Sequence, residues 1–256
     1  MAKASATEEA LALALKHPSL GVGCHVVLVD GEPVLSGVRD IPNVADPVDG
    51  RFEQTLLPFL RTIYTRGWGR KVAFQIESEA RAQIQLLQSR GLRLTHIDTH
   101  KHTHMFPRVL RPLLRAARSC GIRRIRNPFE PEWAVRATPR ASLLRSAEVF
   151  ALRRFGPYFR RVIAEEGFTT TEGTIAVAAT GVVNADTVRA LLKKLPEGTW
   201  ELVTHPGYHD ADLEKVRTRL RASREIERKA LEVIAEFEEV ELISFAGLQA
   251  QATTVI

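Results

Sequence analysis

The sequence LRLTHIDTHKHTHMFP, residues 92–107, contains the elements that decide the fold class. It opens with an apolar run typical of a β-strand and closes at a proline, a residue favoured in the first turn of a helix. Further apolar runs lie at 21–29, 122–126, 174–180, 200–205 and 240–245, and helical patterns lie at 53–66, 72–89, 107–119, 139–154, 184–195 and 212–237. This alternation predicts an α/β fold of right-handed βαβ units with a mainly parallel sheet or barrel.

The composition predicts one large domain over residues 1–256. Apolar residues make up 45% and charged residues 26% of the chain, which are globular values. No apolar run approaches the roughly 18 to 20 residues that span a bilayer, and the first residues lack the order of a signal peptide, so we expect a cytoplasmic protein. Cys24 and Cys120 are too few for a disulfide framework and are interpreted as free thiols. The sequence leaves homo-oligomer formation open.

The chain is basic, with a net charge of +6 and a pI near 9.6. Only RRFGPYFRR, residues 153–161, interleaves basic and aromatic residues in a compact run. We interpret this run as a solvated helix face with its connecting turn, and we expect no nucleic-acid partner. Nucleic-acid binding through the run is the alternative, and it would require an affinity that falls steeply with salt.

Residues 31–52 form a segment rich in Pro, Gly and Asp that is too long for an ordinary connection. Long connections of this kind often carry function. We therefore expect a substrate loop or a lid here rather than a linker between domains.

Four of the eight histidines fall within residues 96–104, directly after the apolar strand. If this segment stays extended, a period of two puts them on one face together with Asp98. Imidazoles and a carboxylate that converge in this way suit a divalent metal ion, and a hydrogen-bonded polar rim is the alternative. Because Pro107 opens the next helix, the chain must turn around His102 to His104, so these two residues are expected to orient neighbours or bind substrate.

Three residues outside the cluster are further candidates. His25 lies in the apolar run GVGCHVVLV, where an imidazole is costly unless it is paired or bound to metal; without the cluster, a satisfied core histidine would be the better interpretation. His205 precedes a Pro-Gly turn at a strand end and is either a general acid or a hydrogen-bonded turn histidine. Arg126 either polarises a carbonyl or holds a substrate oxygen, or it is a structural ion-pair partner.

Several enzyme classes lack the residues they need. The sequence contains no GxSxG motif and no P-loop, and its two cysteines do not have metal-ligand spacing. The GVG at 21–23 precedes a strand rather than a helix, so it is not a dinucleotide-binding motif.

The motifs together resemble the YdjC family of carbohydrate deacetylases, and most closely its hopanoid-biosynthesis branch, HpnK. The resemblance runs from about residue 8 to residue 248 and rests on GVGCH (21–25), THIDTHKHTHMFP (95–107), Thr180-Gly181 and HPGY (205–208). It implies an irregular parallel β/α barrel similar to the polysaccharide deacetylases. It also implies removal of an N-acetyl group from an amino sugar, with an N-acetylglucosaminyl hopanoid lipid as the branch-level substrate.

The resemblance also implies roles for individual residues. By motif position the metal ligands fall on His25 and His100, with Mg²⁺ expected and Zn²⁺ or Mn²⁺ as alternatives. The catalytic candidates are His205, Asp98 and Arg126, and the substrate-binding candidates are His102, His104 and Tyr208.

One family motif has no counterpart in this sequence. Family members begin with a strand ending in an Ala-Asp-Asp-Phe-Gly type motif, which supplies the catalytic base and the third metal ligand. We therefore expect the first strand to be missing and the chain as written to bind metal and release acetate poorly, unless Asp98 serves as the base. A form extended to an upstream in-frame start is expected to do both. A catalytically impaired sugar-binding remnant is the alternative.

Overall fold

The computed structural model describes residues 1–65, 70–139, 142–215, 218 and 220–248. Its contacts divide the chain into two compact units. Unit 1 comprises Met1–Arg126, Pro157–Thr170 and the described residues from Ile243, and unit 2 comprises Asn127–Gly156 and Thr171–Leu242. The expected single domain over the whole chain stays a prediction.

Helices dominate both units. The α-helices are α1 Thr7–Lys16, α2 Leu56–Thr65, α3 Arg70–Ser89, α4 Pro107–Ser119, α5 Glu132–Ala137, α6 Leu143–Leu152, α7 Gly156–Glu165, α8 Ala185–Leu192, α9 Ala211–Lys215 and α10 Arg224–Ala230. Short 3₁₀ helices span His100–Met105, Arg153–Phe155, Leu231–Glu236 and Phe245–Gly247. None of these described helices is both long and apolar enough to cross a membrane.

The strands form two small parallel sheets. β1 Val22–Val26 pairs with β2 Leu94–Thr99 in unit 1, and β3 Gly173–Ile175 pairs with β4 Trp200–Leu202 in unit 2. The predicted parallel pairing of strands is therefore present. A barrel is not formed by the described residues, because each described sheet contains two strands.

The pairing register of β1 and β2 places residues of the candidate site opposite one another. His25 lies opposite Asp98, and Gly23 lies opposite His96. A Cβ atom on Gly23 would approach the Nε2 atom of His96 to 2.4 Å, so the imidazole can cover this part of β1 only because residue 23 is glycine.

Helix α4 matches its predicted bounds, 107–119, because both ends carry strong local signals. Pro107 occupies the first turn, where its missing N–H costs no hydrogen bond. Gly121, just beyond the C-cap, has a φ of 79°, a conformation that glycine adopts without strain. The helix buries Val109 and Leu113, among other residues, and it packs on α3.

β1 and β4 are shorter than the predicted runs 21–29 and 200–205, and three other predicted strands differ more. Residues 240–244 are irregular and lead into the 3₁₀ helix Phe245–Gly247, whose Phe245 ring stacks on His96. The run 122–126 contributes only isolated bridges, Ile97 to Ile125 and Arg124 to Thr169. The run 174–180 leaves the extended conformation early, because Ala176 has a φ of 73° and turns the chain.

The long segment 31–52 is packed against α3 rather than projecting freely. Glu79, whose exposed fraction is 0%, accepts hydrogen bonds from the backbone N–H groups of Val34 and Leu35 at 2.8 and 2.9 Å. Gln75 accepts another from the N–H of Asn43 at 2.9 Å. These hydrogen bonds hold the segment against α3 in unit 1. Its expected role as a substrate loop or lid stays a prediction.

Candidate functional site

His25 and His100 form the centre of the candidate site. β1 carries His25, and His100 follows the last residue of β2, so parallel pairing brings the two side chains to the same sheet edge. The Nε2 atom of His25 lies 3.4 Å from the Nδ1 atom of His100. The rings are nearly perpendicular, with an interplanar angle of 75°. Two nitrogens of different strands therefore face one another across a narrow gap.

Neighbouring carboxylates assign the tautomers of these two rings. Asp98 lies 2.8 Å from the Nδ1 atom of His25, so that nitrogen carries the proton and donates it. Asp30 lies 3.8 Å from the Nε2 atom of His100, which favours the proton on that nitrogen. With those tautomers the two facing nitrogens are both lone-pair donors, which repel unless a cation lies between them; with its proton on Nδ1, His100 would instead donate to the Nε2 atom of His25 at 3.4 Å.

The pair fits two ligands of one divalent ion. Ligand bonds of about 2.1 Å at an angle near 90° to 110° require the two nitrogens to lie roughly 3 to 3.5 Å apart, and the distance between them is 3.4 Å. Burial is the main cause that lowers the pKa of His100 to about 4, which keeps it neutral as a ligand must be. Within the described ranges, no group of three or more His, Cys, Asp or Glu side chains is arranged to hold a metal ion.

Asp98 orients His25 by bonding to its Nδ1 atom, the ring nitrogen that does not face His100. Its side chain is nearly buried, and its Oδ2 atom accepts hydrogen bonds from both His25 and Arg126. Burial opposes ionisation, but the charge and hydrogen bond of His25 and the Arg126 guanidinium hold the pKa of Asp98 well below its usual range. A carboxylate held in this way is a weak base. The contacts therefore favour an orienting role for Asp98 and an ion-pair role for Arg126, and the catalytic roles expected for both stay predictions.

His104 lies in the interior of the protein, and its substrate-binding role stays a prediction. Its exposed fraction is 0%. The Thr99 hydroxyl lies 2.7 Å from its Nδ1 atom and also accepts the His104 backbone N–H at 3.0 Å, while the Nε2 atom donates to the carbonyl of Arg126 at 3.1 Å. Both ring nitrogens are thus used to join β2, the following turn and residue 126, and neither is left for a ligand.

The buried His104 predicts a loss of stability in mild acid. Burial, and then the charge of His102, lowers the pKa of His104 to about 3 from an ordinary value of 6.5. The unfolded chain therefore binds a proton that the folded chain refuses as the pH falls below 6.5. This linkage alone should lower the free energy of unfolding by about 2 kcal/mol between pH 7 and pH 5. Urea denaturation at both pH values should show this loss, and His104→Gln should reduce it; an equal loss in the variant would contradict the assignment.

The remaining candidates of the cluster lie apart from the metal-facing nitrogens. His96 stacks on Phe245 with ring centroids 3.9 Å apart, and burial lowers its pKa to about 4. His102 is half-buried with its ring 6.1 Å from that of His104, and its substrate-binding role stays a prediction. The extended segment assumed from the sequence ends at Thr99, so the alternation of faces ends there as well.

His205 belongs to unit 2 and has an acidic neighbour. Glu227 has an exposed fraction of 0% and accepts the backbone N–H of His205 at 2.6 Å and the hydroxyl of Ser223 at 2.7 Å. Its Oε2 atom lies 3.7 Å from the Nδ1 atom of His205. Tyr208 is largely exposed beneath the guanidinium of Arg228. The predicted roles of His205 and Tyr208 stay predictions.

Sequence reasoning missed three residues of these sites. Asp30 and Thr99 contact the histidine cluster, and Glu227 contacts His205. Asp30 stands in a Val-Asp-Gly turn, which signals only a turn, and Glu227 lies in a highly charged helical stretch where a solvated face is the usual interpretation. The contacts of Asp30 and Glu227 follow from the fold and leave no local pattern, whereas Thr99 lies only five residues from His104.

The basic run 153–161 forms the 3₁₀ turn that follows α6 and the first part of α7. Arg154 and Arg161 lie over the rings of Phe155 and Tyr158. Arg161 also pairs with Glu165 one helical turn away. The run therefore has the local contacts of a helix face.

Comparison with known proteins supplies independent findings. The family described as YdjC-like protein matches residues 1–236. A carbohydrate deacetylase of Geobacillus stearothermophilus is 31% identical over 83% of this chain and 68% of its own length. One from Homo sapiens is 28% identical over 80% of this chain and 64% of its length. One from Brevibacillus brevis is 39% identical, but the matched part spans 43% of this chain and 39% of that relative.

A solved structure shares the fold. A chain from Enterococcus faecalis V583, described as a cellobiose-phosphate cleavage protein, superposes with a TM-score of 0.67. The match covers 93% of this chain and 81% of that one, at 22% identity.

Proposed function

The chain belongs to the YdjC-like protein family, and from that premise we propose that it is a metal-dependent carbohydrate deacetylase that removes the N-acetyl group from an amino sugar. The curated relatives named as carbohydrate deacetylases support the reaction class. The facing nitrogens of His25 and His100, 3.4 Å apart with their outer nitrogens next to carboxylates, are the observation that carries the metal dependence.

The proposed metal ligands from this chain are His25 and His100. A divalent ion held there would supply Lewis-acid chemistry, polarising an amide carbonyl and a water molecule. Asp98 would keep the His25 ring in one tautomer and orientation, and Arg126 would keep Asp98 ionised. The expected ion is Mg²⁺, as the family resemblance implies, with Zn²⁺ or Mn²⁺ as alternatives; the two imidazoles of this chain by themselves suit Zn²⁺.

His205 is the proposed proton donor to the leaving amine, since cleavage of a C–N bond needs an acid. The nearby carboxylate of Glu227 supports this role, because it would stabilise the protonated imidazole. Tyr208 and His102 are proposed to contact the sugar.

The proposed substrate is an N-acetylglucosaminyl lipid of the hopanoid type, and soluble chito-oligosaccharides are the wider-family alternative. We further propose a cytoplasmic location, a fold of the irregular β/α barrel type and no nucleic-acid partner. A homo-oligomer is compatible with the proposal.

Acetate release tests the proposal directly. The protein should be assayed on the lipid-linked and the soluble N-acetylglucosaminyl substrates. We expect acetate release from the lipid-linked sugar, abolition of release by a chelator, and restoration by added Mg²⁺. Release that survives chelation would contradict the metal dependence, and no release from either substrate would contradict the deacetylase.

A further inference from the structure

We propose that Asp30 is a positioning residue for His100: its carboxylate holds the His100 ring and the following Lys101 so that the Nδ1 atom of His100 points at His25. The inference rests on the proposed function, because His100 is a proposed metal ligand. It concerns a residue outside the histidine cluster, and it follows from the contacts below.

The chain turns sharply just after His100. Lys101 and His102 have φ values of 53° and 51°, in the left-handed region that side chains with a Cβ rarely adopt. Two consecutive residues in this conformation persist only where the surroundings fix them. The turn sets the direction in which the His100 side chain leaves β2, so whatever fixes the turn also aims the ring.

Asp30 supplies the fixing contact. Its Oδ2 atom lies 2.7 Å from the Nζ atom of Lys101 and 3.8 Å from the Nε2 atom of His100. Lys101 also donates to the backbone carbonyl of Gln54 at 3.1 Å. One carboxylate oxygen thus contacts both the histidine and the residue that follows it.

Backbone hydrogen bonds fix Asp30 at the point where the two ends of the segment 31–52 meet. Its backbone N–H donates to the carbonyl of Glu53 at 2.8 Å, and the N–H of Phe52 donates to the carbonyl of Gly31 at 3.4 Å. On the other side, Gln83 of α3 binds both the N–H and the carbonyl of Val27 at 2.8 and 2.7 Å. The carboxylate therefore extends from a backbone fixed before and after it.

Folding stability alone does not explain the Asp30–Lys101 ion pair. The two side chains are 40% and 32% exposed, and ion pairs in such positions contribute little to folding. A change at Asp30 should therefore affect the orientation of His100 much more than the unfolding midpoint.

The test uses three variants and two readouts. Long-range ¹H–¹⁵N spectra of the histidine side chains report which nitrogen of His100 carries the proton in the metal-free protein, and calorimetric titration with Zn²⁺ reports affinity. Asp30→Asn and Lys101→Met should each shift His100 from a single Nε2–H tautomer to a mixture and weaken Zn²⁺ binding by about tenfold or more. Lys101→Gly should keep most of the wild-type affinity, because glycine adopts the left-handed conformation without strain.

A matched control is the exposed pair Asp212 and Lys215, whose Oδ1 and Nζ atoms are 2.8 Å apart in unit 2. Asp212→Asn should change neither readout. An unchanged His100 tautomer in both Asp30→Asn and Lys101→Met would overturn the positioning role. If the wild-type protein binds no Zn²⁺ but the tautomer still shifts in those variants, the positioning role stands and the metal proposal fails.

Discussion

Replacing His25 or His100 with alanine should weaken the binding of a divalent ion by at least about 100-fold, because each variant leaves one of the two facing nitrogens. Loss of His25 also leaves the carboxylate of Asp98 without its histidine partner, while loss of His100 leaves the Asp98 contacts intact. The two variants should therefore be equally poor in Zn²⁺ titrations, but His25→Ala should unfold at a lower urea concentration than His100→Ala.

The control for this pair is His17→Ala, since His17 is exposed at the end of α1 and remote in sequence from the cluster. Its Zn²⁺ affinity should equal that of the wild-type protein. Retention of wild-type affinity in either His25→Ala or His100→Ala would show that the ion, if bound, lies elsewhere.

Asp98→Ala should cause the largest loss of stability at the site, about 3 to 5 kcal/mol in the free energy of unfolding. The substitution removes the Asp98 carboxylate from the mostly buried guanidinium of Arg126 and removes the acceptor from the Nδ1–H of His25. Asp98→Asn is the matched variant and should lose less, because its uncharged amide oxygen can still accept hydrogen bonds. Urea denaturation at pH 7 measures both.

The loss of stability caused by Asp98→Ala should depend on pH in a defined direction. Because the pKa of Asp98 is lowered in the folded protein, its contribution to stability is complete above its unfolded pKa of about 3.9 and disappears as the pH falls below that value. The stability difference between wild type and Asp98→Ala should therefore be constant from pH 7 to pH 5 and shrink only in stronger acid. A difference below about 1 kcal/mol at pH 7 would contradict the buried ion pair.

Local signals explain which parts of the fold the sequence predicts. Helix α4 has a proline at its start and a glycine just past its end, and its predicted bounds are confirmed. The apolar runs around His25 and before His100 were predicted as strands and are β1 and β2. The run VELISF has strand-like composition as well, but packing of Phe245 on His96 draws that segment into a 3₁₀ turn, a contact that no local pattern contains.

The residues of the candidate site likewise fall into those that the sequence predicts and those that it does not. Histidines at 25 and 100 stand out because imidazoles are rare in apolar strands, and the family resemblance pointed to both positions. Asp30 and the turn at Lys101 could not be predicted, because the left-handed residues there are not glycines and the carboxylate comes from 71 residues earlier in the chain. His104 was predicted to bind substrate, and in the structure it is buried, with Thr99 and the carbonyl of Arg126 bonded to its two ring nitrogens.

The central claim, that His25 and His100 bind one divalent ion, is tested most directly by anomalous scattering from crystals of the protein soaked in Zn²⁺. We expect one strong anomalous peak within about 2.1 Å of both the Nε2 atom of His25 and the Nδ1 atom of His100, with the two nitrogens still near their 3.4 Å separation. A peak bound by other residues, or none between these two rings at a Zn²⁺ concentration that saturates the protein in solution, would contradict the claim.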